Sequence, residues 1–294
     1  MPGGPLVDGL LLLVSGIGAG VFGSLLGLGG GILIVPLLTL GFGLPLLESV
    51  GVSLICVIVN SGAASGVYLE RRTANLRLGM TLELFTAIGA MAGGLIAFLL
   101  DARVIEFIFT GLLVYVAFTM ARRREPAPST PGPSMGSPGS MDHAETAADP
   151  SSEPGGVGRL QPFLDRMSGP DYRIRRFGFG IVGSLIAGVA SAVLGIGGGL
   201  VKVPVMHVVM GVPLRVATAT SNLMIGITAS ASAIIYLLRG GIDPYVTAPT
   251  AIGVFIGASI GSRVAPRIDL RLLRTLFVVI LLYTAWQMLQ RAIA

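Results

Sequence analysis

Few side chains in this 294-residue sequence could do chemistry. It has one cysteine (Cys56), two histidines (His143 and His207) and one lysine (Lys202). Cys56 has no partner for a disulfide and no histidine cluster for zinc. No paired carboxylates and no nucleophile with a base stand at a useful spacing, which argues against an enzyme and against a metal or cofactor. The sequence instead spells one glycine pattern twice: GLGGGILIVP at Gly27 to Pro36 and GIGGGLVKVP at Gly195 to Pro204. Glycine runs inside apolar sequence stop a helix and turn the backbone, and the proline five residues on limits the helix that restarts. A restarting helix aims N–H groups and a positive dipole end at the gap, and glycine lets a ligand approach closely. That is chemistry for holding an anion.

The apolar surroundings set where this happens. With 53% hydrophobic and 12% charged residues, the chain falls in the membrane class. In hydrocarbon, a broken helix is tolerated only where protein or a watery cavity satisfies its free backbone groups. The duplicated break is therefore a candidate binding site. The net charge of +5 comes almost wholly from arginines beside apolar runs, a topology signal and not a nucleic-acid surface.

The pattern predicts an all-α polytopic membrane protein of eight to ten membrane segments in two repeats. Residues 6–26 form a first membrane helix, with no charged region ahead of it to suggest a cleaved signal peptide. Residues 32–40 form a re-entrant half-helix, and fuller segments follow at 46–68, 79–100 and 104–121. The second half repeats the order at 177–194, 200–210, 216–238, 246–265 and 272–290. At one constant offset Pro45 meets Pro213, Ser53 meets Ser221, Gly89 meets Gly257 and Tyr115 meets Tyr283. The domains are thus residues 1–121, a Pro-, Gly- and Ser-rich linker over 122–172, and residues 173–294.

Each repeat holds a glycine-broken hairpin and three crossings, an odd number, so the second enters inverted. Arginine placement gives the orientation. An outside N-terminus puts Arg71, Arg72, Arg77, Arg122 to Arg124, Arg173, Arg175, Arg176, Arg215, Arg263, Arg267, Arg271, Arg274 and the linker on the cytoplasmic side, leaving Arg103, Arg239 and Arg291 outside. The linker is then cytoplasmic and the C-terminus outside. Inverted repeats meeting at broken helices are the architecture of secondary transporters, with the site at the midplane.

The candidate site contains Gly29, Gly30 and Gly31 from the first break and Gly197, Gly198 and Gly199 from the second. Lys202 follows the second glycine run where the first half has Ile34; an intramembrane cation binds the anion, snorkels or pairs with a carboxylate. The helix behind each hairpin is rich in hydroxyls and amides, of which Ser53, Asn60, Ser221 and Asn222 are the best placed to replace part of an anion's hydration shell. His207 could couple transport to protons, although a buried structural histidine is the blander reading. Glu48, Glu83 and Glu106 lie at or near segment ends; they could couple transport to protons, although a solvated interfacial carboxylate is the commoner case. Gly89-x-x-x-Gly93 and the Gly253, Gly257, Gly261 series are faces for close helix crossing. Gly18 to Gly23 matches G-x-G-x-x-G but follows no strand, so it is no dinucleotide site.

The paired motif, followed each time by a proline and a serine-bearing helix, resembles the TauE/SafE sulfite exporter family across both repeats. The resemblance implies a bacterial or archaeal inner-membrane permease exporting sulfite, sulfoacetate or a related anion. The partners expected are therefore that small anion and the lipid bilayer. An anion channel, or a permease for another small anion or organic acid, is the alternative. An inside-negative potential already favours anion efflux, by about 2.3 kcal/mol per charge per 100 mV, so export does not require a coupling ion.

Overall fold

A computed structural model of the chain describes residues 5–26, 29–70, 75–122, 174, 176–264 and 270–293. Their regular structure is entirely helical. In the first half α1 (Pro5–Leu26) runs to the glycine break, and α2 (Gly31–Pro36) restarts after it. Three long helices follow: α3 (Leu46–Glu70), α4 (Leu76–Ala97) and α5 (Ala102–Arg122). The second half repeats them as α6 (Phe177–Leu194), α7 (Gly199–Pro204), α8 (Leu214–Leu238), α9 (Pro244–Val264) and α10 (Leu270–Ile293).

Eight of these helices are long and apolar enough to cross a membrane; α2 and α7 are too short. Large apolar side chains such as Leu84, Ile88, Phe107 and Phe255 stand exposed on the outside of the bundle, where lipid would meet them. The chain is a multi-pass membrane protein. The linker expected over 122–172 lies outside the described residues, except that Arg122 ends α5.

Each short helix has the same local cause and the same ending. Gly29, Gly30, Gly197 and Gly198 all lie near φ +77°, a left-handed conformation that side-chain-bearing residues adopt only with strain. Pro36 and Pro204 close α2 and α7 but do not end the helical path. Each removes the N–H that would bond four residues back, and the chain widens into a π turn, Leu37–Gly41 and Val205–Val209. In the first of these, Thr39 Oγ1 donates to Val35 O at 2.7 Å. The half-helices thus continue five residues past their prolines, to Gly41 and Val209, close to the expected 32–40 and 200–210.

The halves are interlocked. α1 packs along α9 of the other half, and α6 packs along α4, so each hairpin leans on the third long helix of the opposite repeat. Glycines make both crossings possible. A Cβ on Gly20 would lie 2.9 Å from Val254 Cα, and one on Gly257 would lie 3.0 Å from Ile17 Cα. In the equivalent crossing, a Cβ on Gly93 would lie 2.7 Å from Val189 Cα, and one on Gly188 2.7 Å from Ala90 N. The two pairs are related by the repeat, and they include the small-residue faces that the sequence marks. Helix α3 packs on its counterpart α8, and α5 on its counterpart α10.

At one edge of the α5–α10 pair Arg291 Nη1 donates to Thr39 O at 2.8 Å, and its Nε lies 3.8 Å from Glu106 Oε1. Glu106 is therefore a buried, paired carboxylate and not the solvated interfacial one expected.

These crossings give a stability test. Gly188→Leu or Gly257→Leu drives a side chain into the backbone of the partner helix and should cost at least about 1–3 kcal/mol, read as a lowered melting temperature in detergent. Gly111→Leu on α5, where a Cβ meets nothing within 4 Å, should melt as the wild type does. Equal melting of all three would refute the close crossings.

Candidate functional site

The two breaks meet at the centre of the molecule, and both are buried. A Cβ on Gly29 would lie 3.9 Å from Ile196 O, and one on Gly31 would fall onto the carbonyl oxygen of Gly195. Val57 of α3 and Ile225 of α8, equivalent positions of the two repeats, fill the space between. The Val57 and Ile225 side chains both stand against Gly29 and Gly197. The breaks therefore face each other across an apolar plug.

Ser53 and Ser221, also equivalent, have different surroundings. Ser53 Oγ lies 2.8 Å from Gly195 O and 3.3 Å from Gly31 O, so its hydroxyl donates across the halves and ties the first break to the second. Ser221 Oγ is buried with no hydrogen-bond partner, as is Ser191 Oγ. Both orphans stand at the start of α7. A Cβ on Gly199 would lie 3.5 Å from Ser221 Oγ, and one on Gly198 would lie 3.3 Å from Ser191 Cβ. A buried hydroxyl without a partner costs about 1–3 kcal/mol, and such groups in a native fold call for an explanation. Here they flank the first turn of a helix, whose leading N–H groups have no acceptor within the helix. Gly198 O already receives Val201 N and Lys202 N at 3.2 and 3.1 Å. Ser191 escaped sequence reasoning because its equivalent in the first half is Gly23, which packs directly on Gly30.

Lys202 lies one turn into α7 and is buried at 2% exposure. Its Nζ forms an ion pair with Glu83 Oε2 of α4 and donates to Thr228 Oγ1 of α8 at 3.1 Å. Thr228 Oγ1 donates in turn to Glu83 Oε1 at 2.5 Å. Of the readings open to Lys202, pairing with a carboxylate is the one present in this conformation.

The placement of Glu83 near a segment end is corrected by the structure. Helix α4 starts at Leu76, so Glu83 sits about 10 Å along it, and it is buried at 3% exposure. The signal was available: Leu78, Leu82, Leu84 and Phe85 surround it in sequence, and a carboxylate amid such residues needs a partner. The other half has no such cluster, because the equivalents of Glu83, Lys202 and Thr228 are Ala251, Ile34 and Asn60. Asn60 Oδ1 is buried without a partner.

The remaining sequence candidates lie around this centre. The Asn222 carbonyl accepts from Ser61 Oγ at 2.9 Å, and Gly226 N donates to the same hydroxyl at 3.2 Å, stitching α3 to α8. His207 is exposed on the second π turn, where its Nδ1 lies 2.9 Å from Val212 O. The expected buried histidine is therefore hydrogen-bonded but not buried. A crevice of about 540 Å³ runs between α1, α2 and α10, lined by Phe22, Leu33, Leu37 and Ile280 with Ser15 and Gln287. It lies beside the first half-helix, away from Lys202, and its walls suit an apolar guest better than an anion.

Comparison with known proteins agrees with this architecture. The sulfite exporter TauE/SafE family matches residues 12–288. The chain is similar to the probable membrane transporter protein YunE of Bacillus subtilis, 22% identical over 97% of this chain and 98% of that one. It is 26% identical to the probable membrane transporter protein MJ0441 of Methanocaldococcus jannaschii, over 82% of this chain and 73% of that one. A shorter match, 31% identical over 36% of this chain and 40% of the relative, is to the probable membrane transporter protein ORF9 of a Sinorhizobium species. No solved structure matches. With nearly its whole length matched, the chain belongs to the TauE/SafE family of sulfite exporters and is a membrane transporter, not an enzyme.

Proposed function

We propose that the protein exports a small sulfur-containing anion (sulfite, sulfoacetate or another organosulfonate) across a bacterial or archaeal inner membrane by alternating access. The orientation has both termini outside and the linker in the cytoplasm, following the arginine distribution. The observation that carries the reading is the start of α7. It brings together left-handed glycines, two orphaned buried hydroxyls and, one turn on, the sole lysine. An oxyanion there accepts from the leading N–H groups of α7 and from Ser191 and Ser221, and it draws on the charge of Lys202. These donors match the tetrahedral or pyramidal oxygen cluster of a sulfonate or sulfite. Gly29 to Gly31 supply the facing backbone, and Asn60 and Asn222 lie on the helices behind.

The apolar plug sets the conformational step. Val57 and Ile225 stand where an anion would have to sit, so loading moves α3 or α8 relative to the hairpins. Because each hairpin is locked to the opposite repeat, the bodies that rock are mixed: α1, α2 and α9 against α6, α7 and α4. A channel through the same breaks is the second reading, and counterflow separates the two.

Protein in vesicles should show saturable counterflow with at least one of sulfite, thiosulfate, sulfoacetate, methanesulfonate and sulfate. Conductive, non-saturable flux would favour the channel. Gly30→Leu and Gly198→Leu should abolish counterflow while the protein still inserts, and normal flux in either would sink the hairpin site. The two equivalent serines should differ. Ser53→Ala strands Gly195 O and should cost about 1–3 kcal/mol of stability. Ser221→Ala removes an orphan, so it should leave melting unchanged or raised while weakening anion affinity by about 1 kcal/mol, roughly fivefold. Equal stability loss in both would show that Ser221 is structural.

A further inference from the structure

We propose that Glu83, Lys202 and Thr228 form a proton-coupling lock: the anion takes the Lys202 ammonium from Glu83 only when Glu83 takes a proton, so proton and anion cross together. This rests on the anion-transport reading above.

The argument is one of charge. In the present conformation Lys202 is engaged by Glu83 and is not free to serve an anion. Together the two side chains are neutral, the least costly way to hold two charges out of water. An anion that draws Lys202 away leaves a buried carboxylate without its cation, and removing one partner of a buried pair is strongly unfavourable.

Nothing nearby replaces that cation among the described residues. Helix α4 carries, besides Glu83, only Arg77, exposed in its first turn. Helix α6 has no titratable side chain. On α8 between Val216 and Leu238 the only one is Tyr236, whose hydroxyl donates to Ala192 O at 3.0 Å. Beyond Lys202 the second half-helix carries only His207, which is exposed and bonded to Val212.

A proton on Glu83 resolves the imbalance. It adds to the carboxylate oxygen facing Nζ, an O–H bond forms, and the ion pair parts. Lys202 keeps its three N–H groups and turns them toward the anion. Thr228 serves both states, because its hydroxyl donates to Glu83 Oε1, which accepts whether Glu83 is a carboxylate or an acid protonated on the other oxygen. On release, the proton leaves Glu83 for water with the anion, and the pair re-forms. Nothing is oxidised or reduced. For a singly charged anion the loaded and empty sites then carry the same charge.

The first half offers no second lock, since Ala251, Ile34 and Asn60 stand at the equivalent positions. One proton per cycle follows.

The test uses the full chain in phosphatidylethanolamine–phosphatidylglycerol vesicles with a pH dye inside and the membrane potential clamped. Methanesulfonate, which stays ionised across the usable pH range, is the singly charged probe, and the other four anions are run beside it. Wild-type efflux should alkalinise the lumen in step with methanesulfonate loss, one proton per anion, and its rate should not respond to the clamped potential. Glu83→Gln should carry anion without protons and without dependence on lumen pH, at whatever rate remains, and Glu83→Asp should restore the proton. Wild-type movement of anion without protons, or proton movement persisting in Glu83→Gln, would overturn the lock and leave the transport reading standing. Failure of all five anions to move would overturn the transport reading and the lock with it.

Discussion

The constraint on which the structure depends is that backbone polar groups must be satisfied where water is absent. An unbroken helix meets this alone, whereas a glycine break does not and must be covered by other parts of the protein. Both breaks here are covered by the opposite half. Ser53 reaches from the first half to Gly195 O, and Gly31 abuts the same carbonyl. The paired helix crossings hold that arrangement in place, and their glycines are what let the backbones come close enough.

Against this symmetric frame, the polar chemistry is one-sided. Backbone geometry repeats closely: the same glycines at the same φ, the same proline, and the same π turn. Side-chain chemistry does not. The second break has Ser191, a free Ser221 hydroxyl and Lys202 with its carboxylate, where the first has Gly23, a committed Ser53 and Ile34. The repeat shares one backbone scaffold, and the side chains around its two breaks have diverged. A transporter can reach a single site from both sides if its covering bodies move, so the asymmetry is compatible with an inverted frame.

Much of this was legible in the sequence, for identifiable reasons. Glycine runs followed by proline inside apolar sequence have few structural outcomes, and a constant offset between copies exposes the repeat. Helix ends were read to within a few residues because arginines and prolines mark them. Pairing across the fold was harder. Glu83 looked interfacial because the start of its helix was placed at residue 79, and nothing local says that α4 meets α7 and α8. Ser191 has no counterpart to draw attention to it. The continuation of each half-helix past its proline was legible as an apolar run, but its π geometry was not, because a π turn depends on how the freed carbonyls are accommodated and not on the proline itself.

The interlocking of the halves also bears on how the protein is made. Everything that covers the first break from the other side, including Gly195 O, Ile225 and the helix on which α1 leans, is synthesised after it. Until α6 to α9 have entered the bilayer, the first half holds an interrupted helix covered only by its own α1 and α3, and a glycine-lined face without its partner helix. The order of synthesis thus leaves the cover of the first break to be completed by the second repeat, even though each half carries the full set of elements.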